Sequence, residues 1–575
     1  MSFDLMFRKA SDFYLNGAYV QAEEICRQIL AFAPENPDVL NMLGLIAAAQ
    51  NEHQAAAGFF YEALKKSTNP LPVYFNLAVS LNAFGKQKEA LEAYQNALKL
   101  APQTKEIYNN MGAIYEKLGH FEKAAENYEK AVQIDSDYVD AGVNLAVLKK
   151  DKSALLNLAE KYPKSPLPVY YLALFAFDEK NFNQAIEFAL KADALQQAYD
   201  IKNLVAQCYL KLKENTKAEK YFHQALILHP QSIDALINLG ILEQNEAYFK
   251  KALDLNPSSF EAHISYADFL YRENRRVEAL EEYHHAVLLN ADNPAISNNV
   301  ALVLKDMQDY EGALDLLLNA FLKTPENNDI SVNIAETLVL LFQKQKNEAL
   351  KIAKLWQKNA PNNVFAAHTL SAFENKPSSN DALYAKTLFD EFATLYDKRM
   401  GQIDYQTLDK LISLKLDLKG NILDLGCGTG LAPEKLKTPE NSWTGIDISK
   451  NMLEKAKQKN LYDNLLESDI LSFLETNTKK YDFILCLDVL PYIQNIETLI
   501  EKCFPSNLIF SIEKAPDNQK SIFLAPEGRY QHNPQYVENL LKKAGYRNIL
   551  AHHLILRKEN GKNIDGVLFV ATAKQ

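Results

Sequence analysis

Along the first two thirds of the chain, apolar positions recur at helical spacing in short blocks, and the blocks come in pairs. The segment 109–135, NNMGAIYEKLGHFEKAAENYEKAVQID, shows the pattern: apolar residues three and four apart stand on both sides of LGHF, which breaks the period. This predicts two amphipathic helices joined by a tight turn. Small residues mark the repetition of that unit. They stand at Ala10, Gly44, Ala78, Gly112 and Ala146, in steps of 34 residues. A second small series, Ala22, Ala56, Ala90 and Ala124, keeps the same step. Phe60, Tyr94 and Tyr128 follow it at a constant offset, and Ala63, Ala97 and Ala131 come after them. Small residues let two helix backbones approach, and an aromatic ring fills the gap above the next turn. Pro34, Pro102, Pro230, Pro257, Pro325 and Pro361 close several units, because proline cannot continue a helix. A fixed period of this length predicts an α-solenoid.

After Ala146 the anchors are Ala173, Ala206, Gly240, Ala267, Ala301 and Ala335, in steps of 27, 33, 34, 27, 34 and 34 residues. The two short steps predict that the units near 139–165 and 233–259 have lost most of a turn and a helix. Together these positions resemble the tetratricopeptide repeat. The likeness covers residues 1–374 as a solenoid of about eleven units, two of them shortened. Such an array offers a concave surface to a partner. Asparagine stands two residues before the anchor at Asn76, Asn110, Asn144, Asn238, Asn299 and Asn333. An amide both donates to and accepts from a peptide backbone. These six are the candidate peptide-binding residues, and they resemble the asparagine ladders of some peptide-binding arrays. Arg8, Met42, Tyr171, Leu204 and Ser265 interrupt the line. The competing reading is that each amide bonds to a neighbouring helix.

VFAAHTLSAFE reads as a capping helix, and NKPSSND, 375–381, as a linker. From 421 the pattern changes. NILDLG, SWTGIDIS, NLLESDI, YDFILCLDV and NLIFSIEK read as strands alternating with helices, which predicts a doubly wound parallel sheet in residues 382–575. The closing segment NILAHHLILRKENGKNIDGVLFVATA reads as two strands joined by a glycine hairpin, giving one antiparallel edge strand. The predicted fold is thus an α-solenoid followed by an α/β Rossmann-like domain.

Charge and cysteine usage narrow the partners. The net charge is −11, and residues 382–575 hold 25 acidic and 25 basic residues, so the excess acid lies in front of them. An acidic solenoid does not suit a phosphate backbone, which argues against nucleic acid. It suits a basic or polar polypeptide, or serves solubility alone. Cys26, Cys208, Cys427, Cys486 and Cys503 lie far apart without a C-x-x-C pair, which predicts reduced thiols, no metal site and a cytoplasmic protein. No apolar run approaches the ~18 residues of a membrane span, and the first residues do not read as a signal peptide.

The candidate chemistry starts at ILDLGCGTG, 422–430. Gly426, Gly428 and Gly430 allow a tight turn in which the backbone can touch a ligand. The spacing fails the dinucleotide fingerprint, and the lysine of a P-loop is absent. The stretch resembles instead the first motif of class I S-adenosylmethionine-dependent methyltransferases. That resemblance implies S-adenosylmethionine as cofactor. It implies that Asp447, at the end of the second strand, accepts both ribose hydroxyls, and that Asp469, ending the third, reads the adenine amine. Asp424 would steady the loop or reach the methionine ammonium. Cys427, Ile448, Met452 and Ile470 complete the implied cofactor-binding set. LFDEFATLYDKRM, 388–400, resembles the lead-in helix of many small-molecule methyltransferases, in which Tyr396 would cover the cofactor and Arg399 meet its carboxylate. GRYQHNPQYVENLLKKAGY, 528–546, with Arg557 and Gly561, resembles a narrower group, the predicted bacterial methyltransferases that carry tetratricopeptide repeats in front.

An oxygen or amine acceptor also needs a general base. Asp488, Tyr492 and Glu513 at strand ends, and His532 in the loop after the fifth strand, are the catalytic candidates; the bland reading has Tyr492 packing and Glu513 pairing with a lysine. Two functions follow. In one, the repeats recruit a protein or peptide and the second domain methylates it. In the other, the domain methylates a small molecule and the repeats dock the enzyme in an assembly.

Overall fold

A computed structural model of the chain describes residues 3–290, 293–378, 381–559 and 562–573. It forms two compact units, Met1–Ser259 and Phe260–Gln575. No described helix is long and apolar enough to cross a membrane. All five cysteines are free and buried.

The first compact unit is helical throughout its described residues, from Phe3–Leu15 to Glu246–Leu255, and each helix packs on the next in antiparallel pairs. The period found in the sequence is the period of these contacts. A Cβ built on Gly44 would fall 2.4 Å from Phe60 Cε1, on Gly112 2.5 Å from Tyr128 Cε1, and on Gly240 2.7 Å from Phe249 Cζ. The alanines of both series are buried to the same depth. Each aromatic ring therefore rests on the small residue of its own repeat, and size at that position sets the helix separation.

The two shortened repeats keep both helices, against the expectation that one was largely lost. Lys105–Lys117 and Phe121–Ile134 have 13 and 14 residues, whereas Val139–Leu148 and Lys152–Lys161 have 10 each. Ile233–Glu243 and Glu246–Leu255 have 11 and 10. The seven residues missing from each short step equal about two helical turns of ~3.6 residues, roughly one from each helix. Removing whole turns leaves each helix with the same face toward its neighbours. Removing one helix would uncover the apolar face of its partner.

The second compact unit opens with three more pairs: Phe260–Arg272 with Arg276–Leu289, Pro294–Asp306 with Tyr310–Lys323, and Asn328–Lys344 with Lys346–Asn359. The capping helix Val364–Glu374 follows, then two lead-in helices, Asp381–Phe392 and Tyr396–Gln402. The sheet contains β1 (Gly420–Leu425), β2 (Asn441–Asp447), β3 (Asn464–Glu467), β4 (Phe483–Cys486), β5 (Asn507–Glu513), β8 (Asn548–Glu559) and β9 (Lys562–Thr572) in the order β3-β2-β1-β4-β5-β9-β8. The first five are parallel, and the antiparallel addition at the edge is the hairpin of β8 and β9, with β9 next to β5. A separate short hairpin, β6 (Ile522–Leu524) with β7 (Tyr530–His532), was not anticipated. Both faces of the sheet are covered. Leu423, Leu425, Cys486, Phe510 and Ile512 are buried on one, and Ile422, Trp443, Leu485 and Ile509 on the other. That is why these strands read as continuous apolar runs.

The compact units divide at Ser259, inside the repeat array, although the change from solenoid to sheet comes only after Glu374. The reason lies in the joint. His368 of the capping helix stacks on Tyr384 with ring centroids 3.7 Å apart, and its Nε2 lies 2.8 Å from the Gly528 carbonyl in the β6–β7 turn. The Tyr530 hydroxyl donates to Asp381 Oδ2 at 2.9 Å. In the linker, Leu524 N–H donates to Asn375 Oδ1 at 3.3 Å, and Ser378 N–H to the Tyr530 hydroxyl at 3.4 Å. Ser379 and Asn380 of the linker lie outside the described residues. Asn375, Ser378 and Asp381 are thus tied to the β6–β7 hairpin of the α/β domain.

The helix contacts generate a paired expectation. Gly112→Val forces a side chain into the Tyr128 ring and should cost ~1–3 kcal/mol by overpacking. Gly58 is exposed within the helix His53–Leu64 and has nothing within 4 Å of a built Cβ, so Gly58→Ala should stabilise the chain by up to ~1 kcal/mol. Urea unfolding of both variants checks the pair; equal effects would contradict the contact argument.

Candidate functional site

The site is built at the carboxyl ends of the parallel strands, where sheets of this type bind ligands. Gly426, Gly428 and Gly430 have φ of 70°, 52° and 86°. Two of them are also fixed by contact: a Cβ on Gly426 would meet Val489 Cγ2 at 2.4 Å, and one on Gly430 would meet Tyr462 Cε2 at 3.1 Å. Gly428 is open, and its built Cβ meets only Tyr396 Cε1, at 3.8 Å. The outer glycines shape the turn, and the middle one leaves room for a ligand against the backbone.

Asp447 closes the side of that space. Its Oδ2 accepts from Gly428 N–H and its Oδ1 from Ser449 N–H, both at 2.8 Å. Burial pushes its carboxyl up to about 6, and these backbone donors hold the rise down. Each oxygen keeps a second lone pair, as a vicinal diol requires. Asp424 lies under the loop, where the Tyr462 hydroxyl donates to its Oδ2 at 2.6 Å. Burial pushes it up to about 7, against the lowering effect of Tyr462. Cys427 is buried beside Gly445, whose built Cβ would meet its Sγ at 2.9 Å, so this side chain packs below the loop. Tyr462 escaped sequence reading; a lone tyrosine after a helix carries no signal of its role.

Asp469 does not end the third strand, which stops at Glu467. It caps the helix Ile470–Thr476, and its Oδ1 accepts from Ser472 N–H at 2.9 Å. Capping engages Oδ1, and Oδ2 has no hydrogen bond among the described residues. Ile470 and Met452 are buried next to these ends, and the Ile448 carbonyl accepts from Lys386 Nζ at 3.3 Å.

The lead-in helices are clamped to the same strand ends. Asp390 Oδ1 accepts from Ser449 Oγ at 2.6 Å and from Asn451 N–H at 3.3 Å. Lys386 pairs with Glu467 at 2.6 Å. Thr429 Oγ1 donates to Asp397, which also pairs with Lys459 at 3.0 Å. These bonds set Tyr396 beside Gly428. Arg399 goes elsewhere: it is exposed, and its guanidinium lies 4.9 Å from the centroid of the Phe392 ring.

The candidate bases separate in the structure. Asp488 follows β4 in the left-handed region, with φ 56°. Its N–H donates to Ser511 Oγ at 2.7 Å, the Ser511 hydroxyl donates to its Oδ1 at 3.1 Å, and Arg557 Nη1 stands 3.7 Å from the same oxygen. Tyr492 sits in the short helix Leu490–Tyr492, with its ring edge-on to Phe389 at 4.9 Å. Burial raises its hydroxyl, and the nearby Arg529 and Arg557 pull it back. Glu513 is not a free base, and its partners are arginines, not a lysine. It is buried against Arg557 Nη2 and against Arg529 Nε at 2.8 Å. Glu559 completes this cluster, 2.7 Å from both Arg529 Nη2 and Arg557 Nε. His532 is sealed in β7, and neither ring nitrogen finds a hydrogen bond. Burial pushes its imidazole down to about 3, so it is neutral and remote from solvent. Gly561, which accompanied Arg557 in the sequence pattern, lies outside the described residues.

The six asparagines donate within the protein. Asn76, Asn144 and Asn333 donate to Asn41, Asn109 and Asn298 of the preceding repeat at 3.2, 3.0 and 2.8 Å. Asn299 donates to Asp268 at 3.3 Å, Asn110 to the Tyr94 hydroxyl at 3.0 Å, and Asn238 to the Asp234 carbonyl at 2.8 Å. All six are half-buried, and their carbonyl oxygens accept no hydrogen bond among the described residues. Glu219, His223 and Glu243 each bring a ligand atom within 4.8 Å of the others, but His223 Nε2 already pairs with Glu243 Oε1 at 2.6 Å.

Comparison with known families agrees with this geometry. A family described as a methyltransferase domain matches residues 422–505, and tetratricopeptide-repeat families match 7–70, 80–119 and 106–138. The chain is similar to YqeM of Bacillus subtilis (strain 168), named as a methyltransferase, at 33% identity over 20% of this chain and 47% of that protein. It is similar to a ubiquinone biosynthesis O-methyltransferase of Coxiella burnetii (strain Dugway 5J108-111) at 32% identity, over 16% of this chain and 42% of that protein. The chain thus spans less than half the length of these relatives. Among solved structures, a tetratricopeptide repeat protein from Parabacteroides merdae ATCC 43184 aligns at 21% identity and TM-score 0.38, covering 42% of this chain and 98% of that one.

His532 generates a stability expectation with a definite sign. Its native value of about 3 lies below the ~6.5 of an unfolded histidine. The unfolded chain therefore binds a proton that the native state refuses, and stability falls as pH drops from ~6.5 toward 3. His532→Leu should remove that part of the acid sensitivity and move the acid-unfolding midpoint to lower pH by circular dichroism. Superimposable titrations would show the histidine to be proton-accessible.

Proposed function

We propose that this chain, a tetratricopeptide-repeat protein with a methyltransferase domain, transfers a methyl group from S-adenosylmethionine to an acceptor carried by a polypeptide that its repeats recruit. The division of labour runs with the fold: residues 1–374 recruit, 375–381 connect and 382–575 catalyse. The observation that carries the reading is Asp447, a buried carboxylate held between Gly428 N–H and Ser449 N–H beside the open face of the glycine loop.

The residues present fit the cofactor. Asp447 would hold the two ribose hydroxyls, Gly428 would let the backbone approach, Asp469 would offer its uncommitted oxygen to the adenine amine, and Tyr396 would cover the site. When bound, S-adenosylmethionine supplies a methyl group on a positively charged sulfur, open to in-line displacement by an acceptor nitrogen or oxygen. Asp488 takes the proton that the acceptor gives up, with Ser511 and Arg557 holding the carboxylate in place. Tyr492 orients the acceptor.

Recruitment by the repeats draws support from the helix Asp381–Phe392. One side of it packs on the last repeats through Tyr384 and Leu388, and Asn328 donates to its Glu391 at 2.9 Å. Its Asp390 meanwhile bonds Ser449, next to Asp447. A second reading, a small-molecule O-methyltransferase with the repeats as a docking scaffold, is favoured by the named relatives.

Incubation with methyl-labelled S-adenosylmethionine and a lysate of the source cell separates the two. Label in a protein band, lost in Asp447→Ala and lost on competition with excess unlabelled repeat array, is the expected result; label confined to the small-molecule fraction would favour the second reading. Cofactor binding has its own pH signature. Asp447 must be ionised to accept two hydroxyls, so affinity should rise as pH rises through about 6. Asp447→Asn should flatten that rise and weaken binding ~10–100-fold, the loss of a charge-assisted hydrogen bond. Isothermal titration across pH 5 to 8 reads both.

A further inference from the structure

The first shortened repeat leaves an opening in the groove of the first compact unit. The position 34 residues after Glu116 is Lys150. In a full repeat it would stand in the last turn of the first helix. Here the helix stops at Leu148, and Lys150 lies in a left-handed turn with φ 54°. The wall that a further turn would supply is missing. A cavity of about 340 Å³ stands at this place, lined by Glu116, Lys117, Tyr128, Asn144 and Tyr171 among others. Its walls come from three successive repeats: helix Lys105–Lys117 with its partner Phe121–Ile134, the short helix Val139–Leu148, and helix Pro166–Asp178.

The lining has a definite chemistry. The Tyr128 hydroxyl donates to Glu116 Oε2 at 2.9 Å, which fixes the carboxylate, and Glu116 Oε1 accepts no hydrogen bond among the described residues. Tyr171 replaces the asparagine of the ladder and brings a second phenol ring to the same space. Asn144 stands on the lining with one of its two amide hydrogens given to Asn109, and its carbonyl oxygen accepts no hydrogen bond among the described residues. A carboxylate oxygen, an amide oxygen and the half-buried ring of Tyr171 are acceptors for a cation, and a ring within ~6 Å of a cation attracts it; Tyr128, buried on Gly112, contributes by fixing Glu116. The excess negative charge of the chain lies before residue 382, which favours the same sign of partner.

We propose that this cavity is a socket for one arginine or lysine side chain of a polypeptide lying along the groove, anchored on Glu116 beside the ring of Tyr171. The proposal rests on the reading that the repeats recruit a polypeptide, and it adds the side chain they select. The shortening of the repeat is then the device that makes the socket. Lys117 is exposed beside Glu116 and opposes an incoming cation, so its removal should tighten binding.

The test uses the full chain and fluorescein-labelled nonapeptides, degenerate except for a central residue fixed as Arg, Lys, Ala or Glu. Fluorescence anisotropy at low salt gives the affinity of each pool. The expected result is at least tenfold tighter binding of the Arg and Lys pools than of the Ala and Glu pools. Glu116→Gln should abolish that preference while leaving the weak binding of the Ala pool, and Lys117→Ala should strengthen the preference. Matching thermal unfolding of the variants and the parent shows that the repeat is intact. Peptide binding without a basic preference, or a preference that survives Glu116→Gln, overturns the socket and leaves recruitment standing. Absence of binding by every pool overturns the socket and counts against recruitment as well.

Discussion

The two backbone hydrogen bonds to Asp447 hold the functional end of the sheet together. One comes from the glycine loop after β1 and the other from the residue that starts the helix after β2. A carboxylate this deeply buried would be costly without them, since desolvation disfavours its charge. With them it becomes the fixed point around which the loop turns. The loop in turn needs three residues at positive φ, which only glycine adopts at little cost. The lead-in helices then attach to what this carboxylate has ordered. Asp390 bonds Ser449 and Asn451, and Asp397 bonds Thr429, so both acids hold groups adjoining the Asp447 bridge.

A second buried network organises the other half of the cleft. Glu513 and Glu559 each meet Arg529 and Arg557, and Arg557 reaches Asp488. Buried ion pairs add little net stability, but breaking one by removing a partner costs ~3–5 kcal/mol because the other charge is left alone. The value of such a network is in position. It ties the ends of β5, β7, β8 and the turn after β4 to one another, and so sets where Asp488 stands. Guanidinium groups suit this role, since their planar fork meets two carboxylates at once.

The joint after Glu374 makes the α/β domain continuous with the last repeats. His368, Tyr384, Asp381 and Tyr530 stack and bond across it, and Asn375 and Ser378 of the linker bond the β6–β7 hairpin. Composition alone marks 375–381 as a linker. Polar and small residues form tethers only when nothing nearby offers them partners, and here the hairpin does. That hairpin was illegible in the sequence because its strands have three residues each, too few for an alternation to be read.

Whatever repeats at a fixed spacing or stands within a few residues of its partner was determined by the sequence by itself. The helix pairs, the small-to-aromatic contacts, the order of strands and helices and the glycine loop belong to this class, because period and turn chemistry act locally, whereas Asp447 was legible only through the resemblance of its motif. The depth of a shortened repeat is at its margin: the seven missing residues were visible, but that they came from two helices and not one was a matter of packing. Tertiary structure decided the rest. Glu513 and Arg557 are 44 residues apart, Lys386 and Glu467 81, His368 and Gly528 160. It removed His532 from the bases by sealing it, turned Arg399 onto Phe392, and brought Tyr462 to Asp424. The common reason is that a side chain's protonation and reach depend on what surrounds it, and those surroundings are assembled from distant parts of the chain only when it folds.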